Sequence, residues 1–246
     1  METDKCAAAI ATWNLAWAKP GSSALTTMLS RLKTHNSDIV CFTECYTDGV
    51  PNNGYVITGE PDWGYASHPE RRKVLLWSKS PWSRVDQLGH SEMPSGRFIS
   101  AETETPLGKL KVIGVCIPWR DAHVRTGRSD REPWEDHLGY LSSLGRILQD
   151  QPERTVLLGD FNQRVPRRWT PKKVHHSLLA SLNHKFNIVT GGLLQPVDAQ
   201  AIDHIAVSSD LKSEAIVTIS NTSEDNRKLS DHFGVTARVY PSKDGY

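Results

Sequence analysis

Five short polar motifs close apolar runs along this chain, in the order Thr12-Trp13-Asn14, Thr43-Glu44, Gly159-Asp160-Phe161-Asn162, Ile202-Asp203-His204 and Ser230-Asp231-His232. Carboxylates, carboxamides and an imidazole are what hydrolysis of a phosphoester demands. Charge on the phosphoryl oxygens must be neutralised, water activated and the leaving oxygen stabilised. Glu44, Asp160, Asn162 and Asp231 supply oxygen atoms of the kind Mg²⁺, or Mn²⁺ in its place, takes as ligands. His232 is the candidate general base or phosphate-activating group, provided an acceptor fixes its tautomer. Residues two apart on a strand share a side, so Asp160 and Asn162 can converge while Phe161 turns to the core. Each motif alone has an ordinary use as well: Asp160 and Asn162 can satisfy backbone groups in a turn, and Ser230-Asp231 can cap one. The order and spacing of all five favour the chemical reading.

The set resembles the active site of the endonuclease/exonuclease/phosphatase superfamily, with its DNase I-like, exonuclease III-like fold and Mg²⁺-dependent phosphoester hydrolysis. That resemblance implies Glu44 as the central metal carboxylate, Asp160 on the nucleophile or a metal, and Asn162 on the phosphate. It also implies Asn14 positioning the scissile group, Asp203 orienting His232, and Asp231 turned toward the metal. His204 should point to the opposite side of its strand and be structural. One departure stands out: Cys116 lies where the family usually places a histidine or tyrosine that assists the phosphate or the leaving group. A thiol, with a reference pKa of about 8.5, is a weaker donor than imidazolium. Arg120 and His123 are the nearest substitutes, and the favoured reading of Cys116 is a small buried hydrophobe rather than a catalytic thiol.

The stretch Gln163 to Lys173 gathers Arg164, Arg167 and Arg168 around Trp169, with His175 and His176 following. Clustered guanidiniums around an exposed aromatic suit a phosphate backbone with a base to stack on. A solvated basic helix start is the plainer alternative. His68, Arg71, Arg72 and Lys73, with Arg125, Arg128 and Arg131, read as further positive loops, and Arg131-Glu132-Pro133-Trp134-Glu135 is similar to a stretch of exonuclease III-like repair endonucleases. A nuclease acting on DNA or RNA is the leading expectation. The alternatives are a phosphatase or phosphodiesterase on a small-molecule or lipid phosphoester, and a catalytically silent binding protein with the same fold.

Elements to position these residues are visible in the pattern. Apolar runs predict strands near Ala7–Thr12, Asp38–Phe42, Tyr55–Thr58, Val74–Ser78, Phe98–Thr103, Leu110–Ile117, Thr155–Leu158, Phe186–Val189, Ile202–Val207, Ala215–Ile219 and Phe233–Val239. Helical spacing predicts Ser23–His35, Trp134–Leu148 and Pro171–Leu182, and Leu107-Gly108-Lys109 reads as a hairpin turn. Strands interspersed with helices imply an α/β or α+β sandwich. The resemblance sharpens this to a four-layer α/β sandwich, two packed mainly antiparallel sheets flanked by helices, as one domain over residues 1–246.

With 38% hydrophobic and 23% charged residues the composition is ordinary for a globular chain, which excludes a wholly disordered one. No apolar run approaches the roughly 20 residues of a membrane span. The start, Met1 to Lys5, lacks a secretory signal pattern, so a soluble cytoplasmic protein with no membrane partner is expected. Cys6, Cys41, Cys45 and Cys116 are too sparse for a disulfide framework and lack companions for zinc. A net charge of +1 selects no class of partner.

Overall fold

The structure, a computed structural model, describes residues 6–66 and 68–242. Along the chain come β1 (Ala8–Asn14), α1 (Ser23–Lys33), β2 (Ile39–Tyr46), β3 (Tyr55–Thr58), β4 (Arg71–Ser78), β5 (Trp82–Asp86), β6 (Phe98–Thr105) and β7 (Gly108–Cys116). Then follow α2 (Glu135–Gln149), β8 (Thr155–Asp160), α3 (Lys172–Ser181), β9 (Phe186–Ile188), β10 (Leu193–Leu194) and β11 (Ala199–Gln200). The last strands are β12 (Asp203–Ser208), β13 (Leu211–Ile219) and β14 (Gly234–Pro241).

Two six-stranded sheets result, ordered β13-β14-β1-β2-β4-β3 and β5-β6-β7-β8-β12-β9, with β10 and β11 as a separate small ribbon. Each sheet has one parallel pair at its centre, β1 with β2 and β7 with β8, and every other pairing is antiparallel. A parallel pair needs a long crossover, and α1 and α2 provide them.

Alternation along the strands builds the layers. Ile10, Ile39 and Leu76 of the first sheet meet Val112, Val156, Leu158 and Ile205 of the second in the central core. The neighbouring Ala11, Val40, Phe42, Leu75 and Trp77 point outward and are covered by Leu25, Met28 and Leu32 of α1. On the far side Tyr140, Leu141, Leu144 and Leu148 of α2, with Leu178 of α3, pack on Ile113, Val115 and Leu157. The Ser22 hydroxyl caps α1 by accepting from Leu25 N at 3.3 Å. Two sheets between helices give the four-layer sandwich that the family resemblance implied.

Several boundaries differ from expectation for local reasons. β5 is an exposed edge strand with a register shift between Ser83 and Asp86, so it carries no apolar alternation to read. β4 starts at Arg71 and not at Val74, which turns Lys73 from a loop cation into a buried strand residue. Gly108 begins β7, at φ 97°, so the hairpin turns on Pro106-Leu107. No helix among the described residues is long and apolar enough to cross a membrane. Cys41, Cys45 and Cys116 are buried free thiols, and Cys6 is exposed and free.

Candidate active site

The C-terminal ends of the two parallel pairs meet. At the end of β8, Asp160 lies opposite Cys116 on one side and opposite Asp203 on the other. The residue before it must be glycine: Gly159 has φ 136°, and a Cβ there would come within 2.0 Å of the Val115 carbonyl oxygen. Asp160 is buried, and its two oxygens accept from Asn14 Nδ2 at 3.1 Å and from the Asn162 backbone N–H at 2.9 Å. Asn14 cannot present its amide the other way round, because its Oδ1 accepts from Ala16 N at 2.9 Å. The bond to Asn162 N–H corrects the expectation that strand alternation unites Asp160 and Asn162. The strand ends at Asp160, Asn162 takes φ 53°, and an Asx turn brings the two together. Asn162 Nδ2 donates to Ile117 O at 2.9 Å, and Phe161 is wholly buried.

Asp203 begins β12 and accepts from His232 Nδ1 at 2.5 Å, leaving Nε2 as the second ring nitrogen. His232 is fixed through its main chain too: its N–H donates to Ser230 Oγ at 3.1 Å and its carbonyl accepts from Trp13 Nε1 at 2.9 Å. Ser230 Oγ in turn donates to Asn14 O at 2.7 Å, which ties the last motif to the first. Burial disfavours a charged imidazole, but the Asp203 carboxylate, its hydrogen bond and the nearby Asp160 outweigh it and hold His232 up at about 10. Burial likewise pushes the Asp203 carboxyl up, and its imidazolium partner pulls it back. Asp160 is pushed up to about 7, by burial first; His232 opposes the rise, and Asp203 and Glu44 add to it.

Glu44 approaches from the first sheet with φ 48°, and its carbonyl accepts from Trp17 N at 2.8 Å. Its Oε1 is held by Lys73 Nζ at 2.5 Å, so Oε2 is the oxygen turned to other use. Around them Trp17 stacks on Trp63, with centroids 5.6 Å apart, while the Arg71 guanidinium and the Lys73 ammonium lie 5.0 Å and 5.2 Å from the Trp17 ring centre. Ala16, Trp17, Glu44 and Asn162 all adopt positive φ, a strained conformation that concentrates at functional sites. Reading Lys73 as a loop charge overlooks its bond to Glu44. The signal lies in the apolar run that follows it, Val74-Leu75-Leu76-Trp77, which continues the same strand.

Asp160, Asp203 and His232 offer donor atoms that all lie within 4.8 Å of one another, the one such group among the described residues. Asp203 Oδ1 is buried without a hydrogen-bond partner. Crowded carboxylates and an orphaned oxygen fit a bound divalent cation. Glu44 and Asp231 fall outside that tight group, and the Asp231 side chain is 77% exposed, 3.8 Å from His232 Nε2.

The residues suggested in place of the missing family acid are not gathered here. His123 is buried; its Nε2 bonds Trp63 O at 3.0 Å and its Nδ1 accepts from Arg128 N at 3.2 Å. Both ring nitrogens are engaged and burial lowers its pKa, so it is a structural tie between two loops, contrary to the expected contact with substrate. Arg120 is exposed and pairs with Asp121 at 3.5 Å. The Cys116 thiol is buried and pushed up to about 12, chiefly by desolvation, beside the buried Arg97, whose Nη1 reaches Cys116 O at 3.4 Å. A thiol in that state keeps its proton and does not serve as an acid near neutrality.

The loop after Asn162 is anchored at Gln163 by neutral histidines. Gln163 Nε2 donates to His137 Nε2 at 2.8 Å, and the Gln163 carbonyl accepts from His204 Nε2 at 2.9 Å. His137 and His204 are both lowered to about 4 by burial. Beyond the anchor Trp169 is 70% exposed, with the Arg164 and Arg168 guanidiniums 4.8 Å and 4.4 Å from its ring centre. Arg167 turns back instead, donating to Thr170 O at 3.0 Å.

The chain matches the model of the endonuclease/exonuclease/phosphatase family over residues 11–232, and it belongs to that family. Members of the family hydrolyse phosphoesters, typically with a divalent metal. Solved structures share the fold. An AP endonuclease from Archaeoglobus fulgidus superposes with TM-score 0.65 at 18% identity, covering 94% of this chain and 98% of that one. The 3′-5′ exonuclease NExo from Neisseria meningitidis gives 0.65 at 19% identity, covering 93% and 98%. Humanized D. rerio TDP2 gives 0.69 at 13% identity, covering 95% and 99%. No curated protein matches the sequence.

Proposed function

We propose that the chain is a Mg²⁺-dependent phosphodiesterase that cleaves nucleic acid. The observation that carries this reading is the meeting of Asn14, Asp160, Asp203 and His232 from four separate strand ends, with the exposed Trp169 and its two guanidiniums on the loop leaving that cluster. Asp160, from the crowded group, would hold the Mg²⁺ together with Glu44 Oε2 and the exposed Asp231, which lie outside that group. Bound there, the ion neutralises phosphoryl charge and makes water more acidic.

The side chains then divide the remaining work. Asp160, held by Asn14 Nδ2 and the Asn162 backbone N–H, takes the proton of the attacking water. His232, kept cationic by Asp203, donates from Nε2 to a phosphoryl oxygen, where developing charge is greatest. Asn162 holds the phosphate. Arg164 and Arg168 meet the flanking phosphates and Trp169 stacks a base, which favours a polynucleotide over a small phosphoester or a lipid.

The test is hydrolysis of end-labelled single-stranded, duplex and abasic-site DNA and of RNA, in Mg²⁺ or EDTA. Metal-dependent cleavage should fall by roughly 100-fold or more in Asp160→Asn. Replacing Arg164 and Arg168 by Ala should reduce the salt slope of nucleic-acid binding by about one for each phosphate no longer neutralised. Failure to cleave every nucleic acid while a small phosphoester is hydrolysed would replace this reading with that of a small-molecule phosphatase.

A further inference from the structure

Of the tryptophans in the sequence two stand exposed, Trp119 at 45% and Trp169 at 70%. A lone exposed aromatic is ordinary, but these two lie on the loops that leave the parallel pair of the second sheet. Trp119 follows Cys116, the end of β7, and Trp169 follows Asp160, the end of β8. The β7 and β8 exits are laced together: Ile117 N donates to Asp160 O at 2.8 Å, and Asn162 Nδ2 to Ile117 O at 2.9 Å. Trp119 comes two residues after Ile117, so its Cα is within about 7 Å of that exit.

The two loops part to opposite sides of β8, which lies between β7 and β12. The Trp169 loop leans past β12 toward the segment that follows β9: Val165 O accepts from Gly192 N at 2.7 Å, and Pro166 O from Gln200 Nε2 at 3.0 Å. The Trp119 loop leans the other way, to the segment between β3 and β4. His123 N donates to the Tyr65 hydroxyl at 3.0 Å and its Nε2 bonds Trp63 O, while β4 packs across the sandwich on β6 and β7.

Trp119 is one wall of a cavity of ≈ 470 Å³, within the size of small-molecule sites, with Arg120, Val124, Arg125 and Pro133 around it. Arg125 makes no hydrogen bond or ion pair with any described residue. Arg120 pairs at 3.5 Å with Asp121, also on the wall, in an exposed contact that a phosphate can readily replace. An indole beside two guanidiniums can stack a base and hold its phosphate. Trp169 with Arg164 and Arg168 is the same combination on the other side of the cluster.

We propose that the Trp119 cavity is a second nucleotide subsite. It holds the nucleotide on the far side of the scissile phosphate from Trp169, with the base on the Trp119 indole and the phosphate on Arg125 and Arg120. This assignment rests on the nuclease reading and gives the strand a path, from the Trp169 loop across Asp160 and Asn162 into the cavity.

The test is the binding of a fluorescein-labelled oligothymidylate of about 12 nucleotides, followed by anisotropy in EDTA over a salt series. Trp119→Ala should weaken binding roughly tenfold, whereas Trp119→Phe, which keeps a stacking ring, should stay within about threefold of the wild type. Arg125→Ala should lower the salt slope by about 0.7. In Mg²⁺, Trp119→Ala should raise KM for the same strand with kcat nearly unchanged. Unchanged affinity in Trp119→Ala, or an unchanged salt slope in Arg125→Ala, in a protein that binds and cleaves the strand would overturn the subsite alone. A wild type that binds no single strand would also overturn it, and one that neither binds nor cleaves any nucleic acid would remove the nuclease reading with it.

Discussion

The molecule uses one backbone device twice and finishes it with different chemistry. In each sheet a strand, a crossover helix and a parallel strand bring two strand ends side by side: Asn14 with Thr43-Glu44 in the first, Cys116 with Asp160 in the second. The first end is propped by charge and aromatic rings, with Lys73 on Glu44 and Trp17 on Trp63. The second carries the Asp203–His232 pair and is backed by neutral groups, with His137 and His204 bonded around Gln163. Their outer faces differ as well. Two helices, α2 and α3, pack on the second sheet, whereas α1 packs on the first. The site joins a half backed by the Lys73–Glu44 pair to a half backed by buried hydrogen bonds.

The second half should be the easier to break. Gly159→Ala drives a methyl into the Val115 carbonyl and should destabilise the protein by about 3 kcal/mol or more, read as a lowered urea midpoint. An unchanged midpoint would mean that the second strand end is as yielding as the first.

The first half should respond to its counter-ion. Lys73→Met leaves the Glu44 carboxylate without its partner and should cost about 1–2 kcal/mol in EDTA, less than a fully buried pair because Glu44 is partly exposed. Added Mg²⁺ should recover more stability in this variant than in the wild type. Equal recovery in both proteins would remove Glu44 from the metal.

The effect of pH on the neutral props is spread over the acid range. His204 titrates at about 4 in the folded chain against 6.5 unfolded, so between those values the unfolded state binds more protons and stability falls as pH falls. The slope should be roughly 1.4 kcal/mol per pH unit for each such histidine. His204→Gln should flatten the wild-type curve between pH 6.5 and 4, as a urea midpoint series would reveal. Least of all, Cys116→Ala should slow hydrolysis by less than about fivefold with an unshifted pH profile, since a thiol held at about 12 donates no proton near neutrality. A displaced alkaline limb would restore it as an acid.

How much of this is legible in the sequence varies with how local the signal is. Buried strands such as β7 and β12 declare themselves as apolar runs, and the α1 and α2 stripes show the helical period. β5 does not, because an exposed edge strand has no buried face to pattern. Asp160, Asp203, Asn14 and His232 are recognisable by motif, and the structure brings all four together. The roles of Lys73, Trp17 and Arg97 depend on what lies across the sheet. His123 shows the converse: its place in the chain suggests substrate, and two loops bury it.

The sequence by itself determined the alternation that makes two sheets, the helices that cross over them, the glycine that only β8 can use, and the polar motif at each strand end. These are local properties, set by side-chain size, backbone freedom and period. Tertiary structure alone decided which strand ends would meet, that Glu44 would carry a lysine, and that Cys116 would be too deeply buried to ionise. Each of these depends on distances between residues far apart in the chain, and on the loss of water around them, which packing alone establishes.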